Sequence, residues 1–316
     1  MSGRGLQYRV TSGRHTLSVA LLVTVACLLV AGLMEGWPPV WPYWCGLPVH
    51  ILTACVLVGL NHAYGLIRQR ASLQSSVYLL LVSLCPALYG LQAGHVAGLA
   101  VAGSLFFLFR AYRSPLASAS LFLSGACLGI GALLVPQLVY VLPLYGVGAY
   151  SLQAFSPRSF FGLLLGMAFP FWFLLGHAWF YGEMELFTSP FKEMVQFGPV
   201  FRGFTADQAM AWGYLLVLFL PSVCHVLASG HDDKIHTRCC LRFLVLLGSF
   251  LFLAVGLQPS LSADLLPAAA VCVSVTAGRL FVLGRGRVAR VFFLLAVWGG
   301  AVVFLWNLYA LHHVSA

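Results

Sequence analysis

Charged side chains are scarce in this sequence: Asp, Glu, Lys and Arg together make up 8% of its 316 residues, whereas soluble domains carry about 25%. So few charges cannot cover a surface that faces water, which excludes an ordinary soluble domain. Hydrophobic residues make up 61% instead, and apolar runs recur that are long enough to cross about 30 Å of hydrocarbon as helices. We therefore predict an all-α protein, a polytopic transmembrane helical bundle that contacts membrane lipids.

Several functional signatures are also missing. The nine cysteines have no spacing typical of a zinc site or a disulfide framework, and no cofactor motif is present, so we predict neither metal nor cofactor. The net charge of +9 is scattered between apolar runs rather than gathered in one patch, which argues against nucleic acid as a partner. Carboxylates are absent from the apolar runs, which argues against a pump or an ion-driven carrier.

Eleven apolar runs predict eleven spanning helices. Two of them, 95–109 and 138–152, are short, and the sequence leaves open whether they cross the membrane fully. The predicted spans are 17–34, 47–67, 75–92, 95–109, 117–135, 138–152, 160–181, 210–227, 243–257, 265–283 and 291–309.

The placement of Lys and Arg predicts the orientation, because short cytoplasmic loops carry an excess of both. With the N-terminus inside and the C-terminus outside, fifteen of the seventeen basic residues fall on the cytoplasmic side, and only Lys192 and Arg202 fall outside. We predict one integral membrane domain, 1–316, with an outer connection at 182–208 and an inner one at 228–242. The expected location is the bacterial inner (plasma) membrane.

Aromatic and acidic residues gather on the predicted outer face. Glu35 precedes Trp41 and Trp44 in the first outer loop, and His177 precedes Glu183 and Glu185 after the seventh span. An interfacial belt of amphipathic aromatics is one interpretation. The other is a site for a polar headgroup or a lipid-linked sugar, with phosphate held by Lys192 or Arg202.

Small residues recur at four-residue spacing within the predicted spans. Gly125 with Gly129 and Gly162 with Gly166 are two such pairs. In lipid, this spacing lets helix backbones approach closely. We interpret the pairs as helix-packing positions.

The stretch from Arg113 to Trp172, with Gly125, Gly129, Pro136 and Pro170, resembles an uncharacterised family of bacterial polytopic inner-membrane proteins of about this length. It is also distantly similar to membrane glycosyltransferases of the C superfamily, which use polyprenyl-phosphate-linked sugars. That resemblance implies a catalytic acid in the first outer loop, at Glu35, and a donor site in the outer connection after the seventh span. The first outer loop is shorter here than in those enzymes.

Three functions remain open from the sequence. The first is a non-catalytic subunit or scaffold, or a lipid-handling component, of an envelope complex with other inner-membrane subunits. The second is a glycosyltransferase-like enzyme that uses a polyprenyl-phosphate-linked substrate at the outer face. The third is a passive or lipid-flipping transporter.

Overall fold

The computed structural model describes residues 16–35, 45–67, 72–195, 204–229, 233–284 and 286–315, and every regular element in these ranges is helical. This confirms the predicted fold class. The α-helices are α1 (Thr16–Glu35), α2 (Gly46–Tyr64), α3 (Leu73–Ser83), α4 (Ala93–Arg110), α5 (Ala117–Leu134), α6 (Leu142–Ser151), α7 (Pro157–Tyr181), α8 (Met184–Val195), α9 (Ala206–Ala228), α10 (Ile235–Leu257), α11 (Ser262–Leu283) and α12 (Arg287–Ser315). Short 3-10 segments occupy Pro86–Leu88, Pro136–Val141 and Pro259–Leu261.

Nine helices within the described ranges are long and apolar enough to cross a membrane, as expected for a multi-pass membrane protein. Each matches a predicted span, including 95–109, where α4 has 18 residues. The predicted span 75–92 is instead the 11-residue α3 followed by the 3-10 segment Pro86–Leu88. The predicted span 138–152 is the 3-10 segment Pro136–Val141 followed by the 10-residue α6. The count of eleven spans stays a prediction.

The chain divides into two compact units. Unit 1 comprises Met1–Gln92, Phe204–Asp233 and Ala269–Ala316, and unit 2 comprises Ala93–Gly203 and Lys234–Ala268. Each is described by itself below. The prediction of one integral domain, 1–316, stays a prediction.

Glycines fix the packing of α5 against α7 in unit 2. A Cβ on Gly125 would lie 2.2 Å from the backbone oxygen of Leu163, and one on Gly166 would lie 2.1 Å from that of Phe122. Both distances are far below any possible contact, so the two backbones touch only because these positions lack side chains. The interpretation of the glycine pairs as packing positions is confirmed.

The two ends of unit 2 differ in charge. One end, here called the acidic end, carries the unit's four described carboxylates: Glu183, Glu185, Glu193 and Asp264. Backbone contacts tie this end together, since Gly94 packs against the backbone of Asp264 and Gln137 donates a hydrogen bond to the carbonyl of Glu193.

The opposite end of unit 2, the basic end, carries six cations: Arg110, Arg113, Arg158, Lys234, Arg238 and Arg242. It is tied together by the stacked rings of Tyr112 and His236, with centroids 4.4 Å apart, and by a hydrogen bond from Arg113 to Gln153. Because short cytoplasmic loops are rich in Lys and Arg, this charge difference predicts that the basic end faces the cytoplasm.

Unit 1 is built around α3, a helix with ten of its eleven residues buried. Side chains connect it to α2: the hydroxyl of Ser75 donates to the carbonyl of Ala54 at 2.9 Å, and the ring of His50 is 3.0 Å from the hydroxyl of Tyr78. These polar contacts between helices replace hydration, because an unsatisfied polar group in an apolar interior is costly.

Candidate functional site

The sequence-predicted site residues that the structure describes lie at the acidic end of unit 2. His177 is exposed near the end of α7, where its ring centroid is 4.6 Å from that of Tyr181. Glu183 is exposed where α7 gives way to α8. Glu185 and Lys192 are exposed on α8 and form an ion pair with a 4.0 Å separation, an arrangement that contributes little stability in solvent.

The other predicted site residues are Trp41, Trp44, Arg202 and Glu35. Trp41, Trp44 and Arg202 lie outside the described residues. Glu35 is the last residue of α1, but its side chain also lies outside them. The catalytic role predicted for Glu35 therefore stays a prediction.

The connection at 182–208 contains α8, a helix that hydropathy alone missed. Its apolar residues Met184, Phe187, Phe191 and Met194 recur at three- and four-residue spacing, while its charged residues occupy other positions. This period is typical of an amphipathic helix that lies in the plane of a membrane interface. The ring of Phe191 packs 5.5 Å from that of Phe171 in α7, which holds α8 against the spanning helix.

Two hydrogen bonds place the C-terminal end of α8 beside the 3-10 segment Pro136–Val141. The hydroxyl of Tyr140 donates to the carbonyl of Met194 at 2.7 Å, and the amide nitrogen of Gln137 donates to the carbonyl of Glu193 at 3.4 Å. The last turn of a helix has carbonyls without intrahelical partners. Tyr140 and Gln137 therefore cap α8 and set its position.

Tyr140 and Gln137 also line a half-open groove of about 530 Å³, here called the acidic-end groove. Its size is within the range of about 300–1,000 Å³ typical of small-molecule sites. Apolar side chains form nearly all of its wall, and its lining residues with polar side-chain groups are Gln137, Tyr140 and Gln258. The lining residues are Gln137, Tyr140, Val141, Phe250, Leu251, Leu253, Ala254, Leu257, Gln258, Leu261 and Leu265.

The groove has a local structural cause. A 3-10 segment is narrower than an α-helix, and Pro136–Val141 lies opposite the second half of α10 in the lining. Pro259 breaks the backbone between α10 and α11, so the second short 3-10 segment, Pro259–Leu261, closes the end of the groove. Sequence reasoning missed this site, although the prolines that begin both segments are visible in the sequence.

A buried ion pair in unit 1 is a second feature that sequence reasoning missed. Arg279 in α11 is 1% exposed and forms an ion pair with Asp233, which is 8% exposed. The guanidinium also donates to the carbonyl of Leu66 at 3.1 Å and to the hydroxyl of Ser229 at 3.5 Å. Both charged residues fall in predicted cytoplasmic segments; the structure shows that their side chains are buried, and their cytoplasmic location stays a prediction.

Three polar residues within the predicted spans, Asn61, His62 and Asn307, divide between structural and exposed positions. The side-chain oxygen of Asn61 accepts from the backbone nitrogen of Ile67 at 2.8 Å, and the amide of Asn307 donates to the carbonyl of Leu84 at 2.7 Å. Both asparagines satisfy backbone groups at the end of a helix. His62 is exposed.

Within the described ranges, no group of three or more His, Cys, Asp or Glu side chains is arranged to hold a metal ion. The acidic-end groove combines volume, apolar walls and a few polar groups, and we take it as the candidate site. Comparisons with family models, with curated proteins and with solved structures found no match to this chain.

Proposed function

We propose that this chain is a non-catalytic, lipid-handling membrane protein that holds a lipid acyl chain in the acidic-end groove. The groove supports the proposal because its wall is almost wholly apolar and it is half open. In a bilayer, the molecules that meet such an opening are lipids, and an acyl chain has the chemistry of the wall.

The surroundings of the groove favour a lipid over a soluble ligand. The amphipathic helix α8 ends at the groove, bonded through Tyr140 and Gln137, and helices of this kind lie at the level of lipid headgroups. A lipid with its chain between Phe250 and Leu257 would thus place its headgroup near α8 and the amides of Gln137 and Gln258. Amides hydrogen-bond both the ester carbonyls and the phosphate oxygens of a phospholipid.

The substitution Ala254→Trp tests the proposal by filling the groove. Ala254 is a lining residue of α10, and Leu246→Trp is the matched control, since Leu246 is 41% exposed on the same helix and outside the groove. We expect protein purified in mild detergent to retain lipid in a fixed ratio, and Ala254→Trp to lose it while Leu246→Trp keeps it. Mass spectrometry of extracted lipid measures the ratio.

Thermal unfolding provides a second readout. Added lipid should raise the melting temperature of the wild type and of Leu246→Trp, because a ligand stabilises the state that it binds, and should leave Ala254→Trp unchanged. Should Ala254→Trp fail to fold, the smaller Ala254→Leu takes its place. Equal lipid content and equal stabilisation in the groove variant and the control would refute the proposal.

A further inference from the structure

A second apolar groove lies in unit 2, and it shares no lining residue with the first. It has a volume of about 620 Å³ and runs between α6 and the first half of α7. Its lining residues are Leu142, Pro143, Gly146, Val147, Tyr150, Phe155, Phe160 and Leu164. Since Phe155 and Phe160 flank Arg158 in sequence, this groove opens toward the basic end, and it is here called the basic-end groove.

Three aromatic rings form one wall of the basic-end groove. The ring centroids of Tyr150 and Phe155 are 6.5 Å apart, and those of Phe155 and Phe160 are 5.8 Å apart. Phe155 is 48% exposed and Tyr150 is 75% exposed. A wall of this kind contributes apolar contact at the position where an acyl chain meets its headgroup.

Arg113 is bonded to the loop that joins the two helices of this groove, and its backbone conformation is unusual. Its Nε donates a hydrogen bond of 2.5 Å to the side-chain oxygen of Gln153, which lies between Tyr150 and Phe155 in sequence. Both residues have left-handed backbones, with φ of 47° for Arg113 and 54° for Gln153. Such angles are uncommon for residues other than glycine, and they concentrate at functional sites.

The surrounding backbone maintains these conformations. The nitrogen of Gln153 donates to the carbonyl of Tyr150 at 3.0 Å, and the nitrogen of Ala154 donates to that of Ala149 at 2.9 Å. The hydroxyl of Ser159 then donates to the carbonyl of Ala154 at 2.7 Å. The loop after α6 is therefore a fixed support for the guanidinium.

Arg113 has no anionic partner among the described residues; its guanidinium carbon lies 5.5 Å from the centroid of the Tyr112 ring, a contact that leaves the full positive charge in place. Gln153 is neutral, and within the described ranges no carboxylate lies within 4.0 Å of the Arg113 guanidinium. The described carboxylates of unit 2 all lie at its acidic end, whereas Arg110 and Arg158 share the basic end with Arg113. A guanidinium has five N–H donors, and with Nε bonded to Gln153 the four on its terminal nitrogens are available to grip two oxygens of a phosphate.

We propose that the basic-end groove binds a phospholipid with an anionic headgroup. An acyl chain lies along Tyr150, Phe155 and Phe160, and the phosphate accepts hydrogen bonds from Arg113, which Gln153 positions. An anionic phospholipid is complementary to this site, because the groove has an apolar wall beside a cluster of cations. The predicted orientation places the groove in the cytoplasmic leaflet, where anionic lipids are concentrated. None of its lining residues belongs to the acidic-end groove.

Native mass spectrometry with phosphatidylglycerol and phosphatidylcholine of identical acyl chains tests the proposal. We expect the wild type to prefer phosphatidylglycerol, and Arg113→Gln to lower that affinity about tenfold or more, as loss of a charge-assisted hydrogen bond does. Phosphatidylcholine binding should fall by less, because its choline already neutralises the phosphate that Arg113 contacts. Arg242→Gln is the matched control, since it removes the same charge from an exposed position on α10 at the same end. It should retain the wild-type preference.

Three further variants separate the contributions. Val147→Trp, at a lining position that is 56% exposed, should lower the binding of both lipids. Gln153→Gly keeps the left-handed backbone but removes the amide, and should reduce the preference for phosphatidylglycerol by less than Arg113→Gln does. Ala254→Trp should leave the preference for phosphatidylglycerol intact even if it removes lipid from the acidic-end groove. The proposals for the two grooves can therefore be refuted separately.

Two outcomes would overturn the inference. Equal losses in Arg113→Gln and Arg242→Gln would mean that diffuse charge attracts the lipid. The second outcome is that inorganic phosphate competes as strongly as the lipid, and equally in the wild type and in Val147→Trp. That result would mean that the apolar groove takes no part in binding. Melting temperatures in phosphatidylcholine report whether Arg113→Gln folds, and Arg113→Lys replaces it if it does not, because lysine keeps the charge but lacks the planar fork.

Discussion

At the scale of single residues, Arg279 departs most from what its sequence context suggests. It lies near the end of an apolar run, where a basic residue ordinarily marks a cytoplasmic boundary, yet it is buried and joins three segments of unit 1. Its contacts reach Asp233, the carbonyl of Leu66 and the hydroxyl of Ser229. A buried charge is tolerated only when it is paired and hydrogen-bonded.

Removing one partner of this ion pair should destabilise the protein strongly. We expect Asp233→Asn and Arg279→Met each to lower the free energy of unfolding by about 3–5 kcal/mol, because each leaves an uncompensated buried charge or its unsatisfied partners. Thermal or denaturant unfolding in detergent measures the loss.

Two controls define this prediction. Arg290→Gln, at an exposed position in the first turn of α12, should have little effect. The double variant with Arg279→Met and Asp233→Leu should lose less stability than the two single changes together, since it leaves no lone charge. Strictly additive losses would contradict the pairing.

At the scale of elements, small residues decide which helices approach closely. Gly162 and Gly166 on α7 face the backbone of α5, and Gly125 and Gly129 on α5 face that of α7. The four glycines interlock, so that each helix fills the gap left by the other. In lipid, dispersion and shape complementarity, rather than the hydrophobic effect, drive such helix association.

The substitution Gly166→Ala should therefore destabilise unit 2. Its Cβ would lie 2.1 Å from the oxygen of Phe122, so the helices must separate, and overpacking of this kind typically costs about 1–3 kcal/mol. Gly176→Ala is the matched control on the same helix, where a Cβ meets nothing within 4 Å and alanine favours the helix. Melting temperatures in detergent compare the two, and equal values would argue against the close approach.

Short elements, in contrast, depend on tertiary partners. The break after α3 is stabilised by the hydroxyl of Tyr89, which donates to the carbonyl of Ser83 at 2.6 Å, and by the amide of Asn307, which donates to that of Leu84. An apolar run of 18 residues containing Pro86 is compatible with one kinked helix or with two short pieces. Asn307 lies more than two hundred residues away, so no local pattern reveals its contribution.

At the scale of the whole molecule, the clearest pattern is the separation of charge between the two ends of unit 2. In unit 2 the described carboxylates and the basic cluster occupy opposite ends, and the two grooves open toward these different ends. A lipid-handling protein with both sites would contact lipids of both leaflets. The segment 136–151 lines the two grooves in turn, through its 3-10 part and through α6.

Labelling of intact cells tests the orientation. In a background without cysteine, we expect a membrane-impermeant maleimide to label Lys192→Cys on α8 and to spare Lys234→Cys at the basic end, both of which are exposed positions. Permeabilised cells, in which both positions should react, provide the control. Labelling of Lys234→Cys alone in intact cells would invert the threading and would place the basic-end groove in the other leaflet.

The sequence by itself determined that lipid surrounds this protein and that its fold is all-helical. Scarce charge and recurrent apolar runs require lipid, and small residues at four-residue spacing indicated packing positions on the helices α5 and α7, because both signals are local in the chain. Only the tertiary structure decided where the predicted spans 75–92 and 138–152 break, that Arg279 pairs with Asp233, and that grooves open beside segment 136–151. Those features depend on contacts between residues that are distant in sequence and that satisfy one another's polar groups. Hydropathy is averaged over a local window of sequence, so it does not detect such contacts.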